Sequence, residues 1–248
     1  MKQRKPRTKL LEIEISRQPD DTTCGPTCLH ALYQYYGDNI SLEQVISEVQ
    51  MIEGGGTLGV LLASHALKRG YRATIYTYNL QLFDPTWFTL DETEIPAKLE
   101  AQSSYKKISK LETATHGYLE FLRLGGKLRF IDINSKFLMR FLIRDIPILT
   151  GLSATYLYNC MREYGPKCDY DDVKGEPSGH FVVLSGYDKK RNKVRVADPQ
   201  LPNPIATTHY YKINMQRVIN SILLGIITYD ANLLIIEPKY IPKAGILE

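Results

Sequence analysis

Four residues of this chain carry side chains that together could perform thiol chemistry. Cys24 lies where a polar, turn-rich segment meets an apolar helical pattern beginning at Pro26, and Gln18 precedes it by six residues. His180 lies at the start of the run GHFVVLSGYD, and Asp198 ends the next run, KVRVADP. A helix dipole stabilises a thiolate at the helix start, and an imidazole beside a carboxylate can exchange a proton. The set predicts nucleophilic catalysis by a cysteine.

Each of these residues has a defined task in that chemistry. Cys24 would attack a carbonyl carbon, and His180 would act as base and then as acid. Asp198, on a neighbouring antiparallel strand, would fix the imidazole tautomer, while Gln18 and a backbone N–H would stabilise the oxyanion. Singly, each also has an ordinary explanation: a packed small hydrophobe, a structural histidine, an Asp-Pro turn. Their joint occurrence favours catalysis.

The elements that must position these residues can be predicted from apolar spacing, caps and turns. Outside residues 80–135, helices are predicted at 26–36, near 42–50 with Ser41 as its cap, from 57 to 70, and at 215–224. The predicted strands lie at 10–17, 71–79, 146–153, 179–188, 192–199, 208–213 and 232–238. Residues 80–135 differ from the segments before and after them, because their sequence favours helices.

The other reactive side chains have simpler interpretations. Cys28 lies one helical turn after Cys24, which predicts burial, and the histidines at 30, 65, 116 and 209 lack a partner motif. Cys160 and Cys168 have no further ligand at zinc-like spacing, and the acids at 169–172 lack calcium-loop spacing, so no metal is predicted. The triplet Gly54, Gly55 and Gly56 is either a flexible turn or a place where a substrate backbone approaches closely.

Composition narrows the class of protein. The chain has 248 residues, of which 44% are hydrophobic, enough for a sizeable core. Its net charge of +4 comes from five basic residues that precede any acid, leaving 26 basic against 27 acidic residues, so no nucleic-acid partner is expected. No apolar stretch is long enough for a membrane span, and Glu12 and Glu14 interrupt any signal-like segment. Four cysteines predict free thiols in the cytoplasm.

Two segments, QPDDTTCGPTCLHALYQYYG and GHFVVLSGYDKKRNKVRVADP, together resemble a known family. They are similar to the papain-like cysteine peptidases of family 39, which remove bacteriocin leader peptides after a double glycine, and to its stand-alone branch. The segments GTLGVLLASHALKRGY and RDIPILTGL resemble the family's third helix and the strand before its histidine. The resemblance covers residues 15–78 and 140–200, and it implies that Gln18, Cys24, His180 and Asp198 are the site residues.

The resemblance implies an α+β, papain-like fold in which a helical lobe packs against an antiparallel β lobe. We expect a single domain with its core at 15–78 and 140–237, a helical insertion at about 80–135 and a flexible basic tail at 1–9. The implied activity is cofactor-free cleavage of a peptide or peptide-like amide through an acyl-enzyme. Apart from the resemblance, we expect Gly54, Gly55, Gly56 and Gly179 to contact the substrate. The alternatives are amide transfer with the same residues, or a non-catalytic peptide-binding module. Oligomeric state stays open.

Overall fold

The computed structural model describes residues 7–52, 55–89, 91 and 93–239. Its helices are α1 (Cys24–Tyr35), α2 (Leu42–Glu48), α3 (Gly59–Lys68), α4 (Glu94–Tyr105), α5 (Ser109–Arg123), α6 (Ser135–Leu142), α7 (Ala154–Tyr158) and α8 (Met215–Leu224), with 3-10 turns at Pro85–Thr89 and Gly225–Thr228. In these described ranges no helix is long and apolar enough to cross a membrane.

The strands form one large sheet and one small hairpin. They are β1 (Thr8–Leu10), β2 (Tyr71–Thr77), β3 (Lys127–Arg129), β4 (Ile148–Ser153), β5 (Glu163–Tyr164), β6 (Asp169–Tyr170), β7 (Gly179–Asp188), β8 (Lys193–Ala197), β9 (Tyr210–Asn214) and β10 (Asn232–Pro238). The large sheet has the order β3-β2-β10-β4-β7-β8-β9, and β1 pairs with β7. Among the strand pairs that the described residues form in this sheet, only β2 with β3 is parallel. Strands β5 and β6 form the hairpin.

The helical lobe packs on the sheet at β7, β2 and β10. Helix α1 contacts β7, and α3 contacts β2 and β10. A Cβ added at Gly25 would lie 2.7 Å from Thr57 Cγ2 and 3.3 Å from the Phe181 ring, so a glycine is needed where α1 starts. Because Phe181 follows His180, this close approach holds the start of α1 beside the start of β7. The arrangement confirms the predicted α+β class.

The N-terminal segment differs from its prediction at both ends. Residues 1–6 of the predicted flexible tail 1–9 lie outside the described residues, but Thr8 and Lys9 belong to β1 and pair with Asp188 and Tyr187. The predicted strand at 10–17 contributes only Leu10 to β1. After Leu10, the side chains of Leu11, Ile13 and Ile15 are buried. The alternating apolar residues are therefore packed in the core, although this segment does not form a β-strand.

Residues 80–135, predicted as a helical insertion, contain a 3-10 turn, α4 and α5, and the first residue of α6. Helix α5 packs against α3 and α4. The segment also contains β3, a strand that the prediction lacked, which pairs with β2 at the sheet edge. Strands β2, β10 and β4 separate β3 from β7, so this segment joins the sheet at an edge away from His180.

Candidate active site

The centre of the candidate site is a buried imidazole–carboxylate pair. His180 lies near the start of β7 and is 5% exposed, while Asp198 follows β8 and is fully buried. Strands β7 and β8 are antiparallel neighbours, as the sequence predicted. His180 Nε2 lies 2.8 Å from Asp198 Oδ1. Since an ionised carboxylate only accepts hydrogen bonds, Nε2 donates, and Nδ1 is the ring nitrogen left for other partners.

Cys24 lies beside the imidazole. It is the first residue of α1 and is partly exposed, and its thiol is close enough to His180 to raise the pKa of that side chain. The first N–H groups of a helix have no acceptor within it, so the Cys24 N–H is one of the donors at this helix start. Helix α1 begins two residues before the predicted start at Pro26. Cys24 is therefore inside the first turn, rather than in the loop before it.

The charges of the pair are set by opposing effects. Burial works against a charged His180, but the Asp198 carboxylate and the Cys24 thiol raise its pKa to about 10. Burial likewise disfavours an ionised Asp198, and His180, Tyr211 and Tyr158 outweigh it and lower the pKa of Asp198. Together these effects favour an imidazolium beside a carboxylate, which is the charged form that a thiolate partner would need.

Asp198 is held by more donors than the sequence indicated. Oδ2 accepts hydrogen bonds from Tyr158 Oη at 2.8 Å and Tyr211 Oη at 2.7 Å. Oδ1 also accepts from the Gln200 backbone N–H at 3.0 Å, which is the turn chemistry expected of Asp-Pro. The turn and the ion pair therefore occur together at Asp198. Sequence reasoning missed both tyrosines. Pairing of β8 with β9 makes either Tyr210 or Tyr211 face Asp198, whereas no pattern singles out Tyr158.

Gln18 lies in the same site through its main chain. Its backbone N–H donates to the Pro199 carbonyl at 3.0 Å, which ties the segment before α1 to the loop after Asp198. Its side-chain Nε2 donates to the Asp20 carbonyl at 2.9 Å, and an amide nitrogen has a second hydrogen to donate. Its Oε1 is buried, and no described residue donates to it. Gln18, His180, Gly179 and Gln200 line one cavity of about 270 Å³.

Two of the predicted substrate-contact glycines lie near Cys24 or His180 in the chain or in space. Gly54 lies outside the described residues. Gly55 and Gly56 have φ angles of 94° and 80°, and a Cβ at Gly55 would lie 2.8 Å from Thr22 Cγ2, two residues before Cys24. Gly179 precedes His180, and a Cβ there would lie 2.6 Å from Asp230 Oδ2. Gly55 therefore packs against the segment that leads to Cys24, and Gly179 adjoins His180 in β7.

The remaining cysteines and histidines lie mostly outside the site. Cys28 is fully buried, as predicted, and its thiol donates to the Phe181 carbonyl at 3.3 Å. His30 and His65 are buried, and His65 hydrogen-bonds Tyr33 and Glu48. His209 is an exception, because its Nδ1 donates to the Asp198 carbonyl at 2.7 Å. It supports the Asp198 loop, a role that its sequence context did not reveal.

Comparison with solved structures shows the fold. A C39-like peptidase from Bacillus anthracis has a TM-score of 0.50 at 13% identity, covering 94% of this chain and 99% of that one. Xylellain, a cysteine protease from Xylella fastidiosa, has a TM-score of 0.48 at 14% identity, covering 96% and 88%. A double glycine motif protease from an AMS/PCAT transporter, in complex with its leader peptide, has a TM-score of 0.44 at 16% identity, covering 93% and 95%.

The sequence itself identifies the family. None of the curated proteins matches the chain. The family model described as the Peptidase_C39 like family matches residues 10–221, which is most of the chain and includes every described residue of the candidate site. The fold is accordingly the papain-like α+β arrangement predicted from the sequence. The chain belongs to the Peptidase_C39 like family.

Proposed function

We propose that this protein is a cysteine peptidase that cleaves a peptide amide through an acyl-enzyme. The observation that carries the proposal is the hydrogen bond from His180 to a fully buried Asp198, with the Cys24 thiol at the start of α1 close enough to raise the pKa of His180. A thiol so placed can transfer its proton to an imidazole whose charged form is already stabilised. The Peptidase_C39 like family membership supports the same class of reaction.

The steps follow from the roles of the four residues. Cys24 thiolate attacks the scissile carbonyl carbon, and Gln18 Nε2 and the Cys24 N–H donate to the oxyanion. His180 protonates the leaving amine as the C–N bond breaks, which leaves a thioester on Cys24. A water molecule, deprotonated by His180, then attacks the thioester and releases the acid and the thiol. Asp198 does not exchange a proton; it positions the ring and stabilises the imidazolium.

The acyl side of the substrate would lie along the glycine backbones. At Gly56 no atom lies within 4 Å of the place where a Cβ would stand, so a substrate main chain has room to approach the backbone there, whereas Gly55 and Gly179 pack closely against Thr22 and Asp230. One of the related structures is a double glycine motif protease, and a substrate with glycines before the scissile bond would suit such a narrow approach. We therefore propose Gly-Gly on the acyl side as the first substrate to assay.

Alkylation of the native protein by iodoacetamide at pH 7, with mass mapping of the modified thiols, tests the nucleophile. We expect Cys24 to react first. Burial raises the pKa of the Cys28 thiol, and burial together with Glu163 raises those of Cys160 and Cys168.

Two controls belong with this experiment. In denaturant all four thiols should react at similar rates, because the folded environment is lost. His180→Ala should slow Cys24 in the native protein and leave Cys160 and Cys168 unchanged. Equal native rates at Cys24, Cys160 and Cys168 would refute the proposal, as would a Cys24 rate that does not depend on His180.

A further inference from the structure

A groove at the end of β7 far from His180 takes no part in the proposed reaction. It lies where β1, β7, β8 and β9 meet, and its volume is about 490 Å³. Asp188 lies at this end of β7, eight positions after His180, which is about 26 Å along an extended strand. A ligand in this groove would therefore lie apart from the chemistry at Cys24.

The groove carries positive charge that the fold does not neutralise. Two of its five basic residues are paired, Lys9 with Asp145 at 2.6 Å and Arg191 with Asp188 at 3.1 Å. The other three form no salt bridge with any described carboxylate, and they are Lys193, Arg195 and Lys212. Among the described lining residues Asp188 is the one acid, and Arg191 already occupies it.

The sheet register places two of these cations directly opposite each other. Arg195 on β8 is opposite Lys212 on β9, and on its other side it is opposite Gly186 of β7, which has no side chain. Lys193, two residues earlier and on the same face, is opposite Asp188, whose carboxylate is already paired. Like charges directly opposite in a sheet are destabilising. Such an arrangement, with no acid of the described fold to relieve it, points to a ligand of opposite charge.

Arg195 is held in place by its neighbours. Its Nη1 donates to the Leu11 carbonyl and to Ser185 Oγ, both at 3.2 Å. Its guanidinium also lies over the Tyr210 ring, 4.2 Å from the ring centre. No described residue accepts a hydrogen bond from its Nε or Nη2. A guanidinium fixed in this way has donors left for a ligand, and it loses little further side-chain entropy on binding.

Further basic residues lie beside the groove. The Lys189 N–H donates to the Arg7 carbonyl at 2.8 Å, which places the chain that enters β1 next to the turn between β7 and β8. Glu12 and Glu14 are exposed, but among the described residues neither lines the groove nor forms a salt bridge with its cations. The positive charge of the N-terminal sequence thus continues onto the folded surface. Before Arg7 that sequence contains Lys2, Arg4 and Lys5, and no acid.

We infer that this groove binds a small ligand that carries at least two phosphate groups. A phosphate ester carries a charge of about −1.5 to −2 at neutral pH, so two of them match three unpaired cations, whereas a carboxylate carries a single charge. The fixed guanidinium of Arg195 suits bidentate contact with phosphate oxygens. The volume of about 490 Å³ is that of a small-molecule site, and Leu10, which is 49% exposed, supplies an apolar wall for the uncharged part.

The test compares three anions at constant ionic strength and pH 7.5. Pyrophosphate, orthophosphate and citrate are titrated into the full protein, and the backbone amide signals of residues 193–195 and 210–214 are followed by NMR. We expect pyrophosphate to bind about threefold to tenfold more tightly than orthophosphate, because it contacts more of the cations. Citrate carries a charge similar to that of pyrophosphate, but on carboxylates, and should bind less tightly than pyrophosphate.

Matched variants assign the binding to the groove. Lys193→Gln and Lys212→Gln should each weaken pyrophosphate binding about twofold to fivefold, and together they should weaken it further. Lys98→Gln makes the same change of net charge on the exposed surface of α4 and should leave the affinity unchanged. Lys212→Gln also removes the charge opposite Arg195, so the melting temperature of the free protein should rise more than in Lys98→Gln. Higher stability together with weaker binding is a result that a purely structural lysine would not give.

No binding of pyrophosphate, equal affinity for orthophosphate or citrate, or an affinity for pyrophosphate that survives the double variant would overturn the inference. Sedimentation with phosphatidylcholine vesicles, with and without phosphatidylglycerol, distinguishes a small ligand from a lipid surface. Binding to the anionic vesicles by a protein that does not bind pyrophosphate would make a membrane surface the partner of these cations, and the small-ligand site would be refuted.

Discussion

Two buried histidines, each bonded to a carboxylate, lie in different parts of this molecule and have opposite electrostatics. In the β lobe, His180 Nε2 donates to the fully buried Asp198 at 2.8 Å. In the helical lobe, His65 Nε2 donates to Glu48 at 3.0 Å, and the Glu48 side chain is 43% exposed. Asp198 and Cys24 raise the pKa of His180 against the effect of burial, whereas burial lowers the pKa of His65 despite Glu48.

The difference teaches that burial of the carboxylate, more than its distance, decides whether the histidine is charged. Water screens Glu48, so its attraction cannot offset the desolvation of His65. Four donors hold Asp198 away from water, so its charge acts on His180 almost unscreened. His65 also has no free nitrogen, because Tyr33 Oη lies 2.8 Å from Nδ1. Only His180 combines a stable charge with a nitrogen that can face a thiol.

The largest expected effect that tests this comparison comes from truncating each carboxylate. Asp198→Ala should lower the free energy of unfolding by about 3–5 kcal/mol, because it leaves a buried imidazole and two tyrosine hydroxyls without their partner. Glu48→Ala should have a far smaller effect, since water replaces an exposed carboxylate. Asp198→Asn, which keeps a carbonyl acceptor, should lie between them. Urea unfolding at pH 7 measures all three.

The alkylation rate of Cys24 also distinguishes the Asp198 variants from the Glu48 variant. Asp198→Ala should slow Cys24 alkylation at neutral pH far more than Asp198→Asn does, since general acid–base assistance is worth about 100- to 10,000-fold. Glu48→Ala should leave the rate unchanged. If Asp198→Ala lost stability while its folded fraction alkylated normally, Asp198 would be a turn residue only.

The second prediction is a pair of opposite pH dependences. The pKa of His180 is raised in the folded protein, so its contribution to stability is complete below the ordinary value of 6.5 and is lost between pH 6.5 and about 10. The pKa of His65 is lowered, so its contribution is present above pH 6.5 and is lost as the pH falls through the folded pKa. Difference curves of unfolding free energy against pH, for His180→Gln and for His65→Gln, should therefore slope in opposite directions. Slopes of the same sign would show that carboxylate burial does not set the two charges.

The sequence could predict the residues of the site better than their surroundings. Helix α1 and strands β7 and β8 follow from local patterns, and antiparallel pairing of two successive strands brings His180 to Asp198. Tyr158 could not be found this way, because it comes from α7, which is 40 residues from Asp198 in the chain. The edge strand β3 escaped for a similar reason: three residues show no clear period, and only pairing with β2 makes them a strand.

The smallest expected effect comes from a matched pair of hydroxyl deletions, one beside each histidine. Tyr211→Phe removes a donor to the ionised Asp198 and should cost about 1.5–3 kcal/mol at pH 7. Tyr33→Phe removes a donor to the neutral His65 ring and should cost about 1 kcal/mol. Both changes keep the aromatic ring, so packing is conserved and the hydrogen bond alone is tested. The alkylation rate of Cys24 reports whether a variant disturbs the candidate active site. This rate should change in Tyr211→Phe and stay unchanged in Tyr33→Phe.

The pH at which each variant regains the stability of the parent distinguishes the groups that the two hydroxyls stabilise. The Tyr33 hydroxyl stabilises the uncharged ring, so the Tyr33→Phe deficit should shrink as His65 takes up a proton below pH 6.5. The Tyr211 hydroxyl stabilises the carboxylate, whose pKa is held below its ordinary value of 3.8, so that deficit should persist until still lower pH. Unfolding free energies of the two variants and the parent between pH 3 and 8 make the comparison. A Tyr211→Phe deficit that closed near pH 6 would mean that the hydroxyl stabilises a group other than the Asp198 carboxylate, and the imidazolium of His180 would then lack the buried counter-charge on which its role depends.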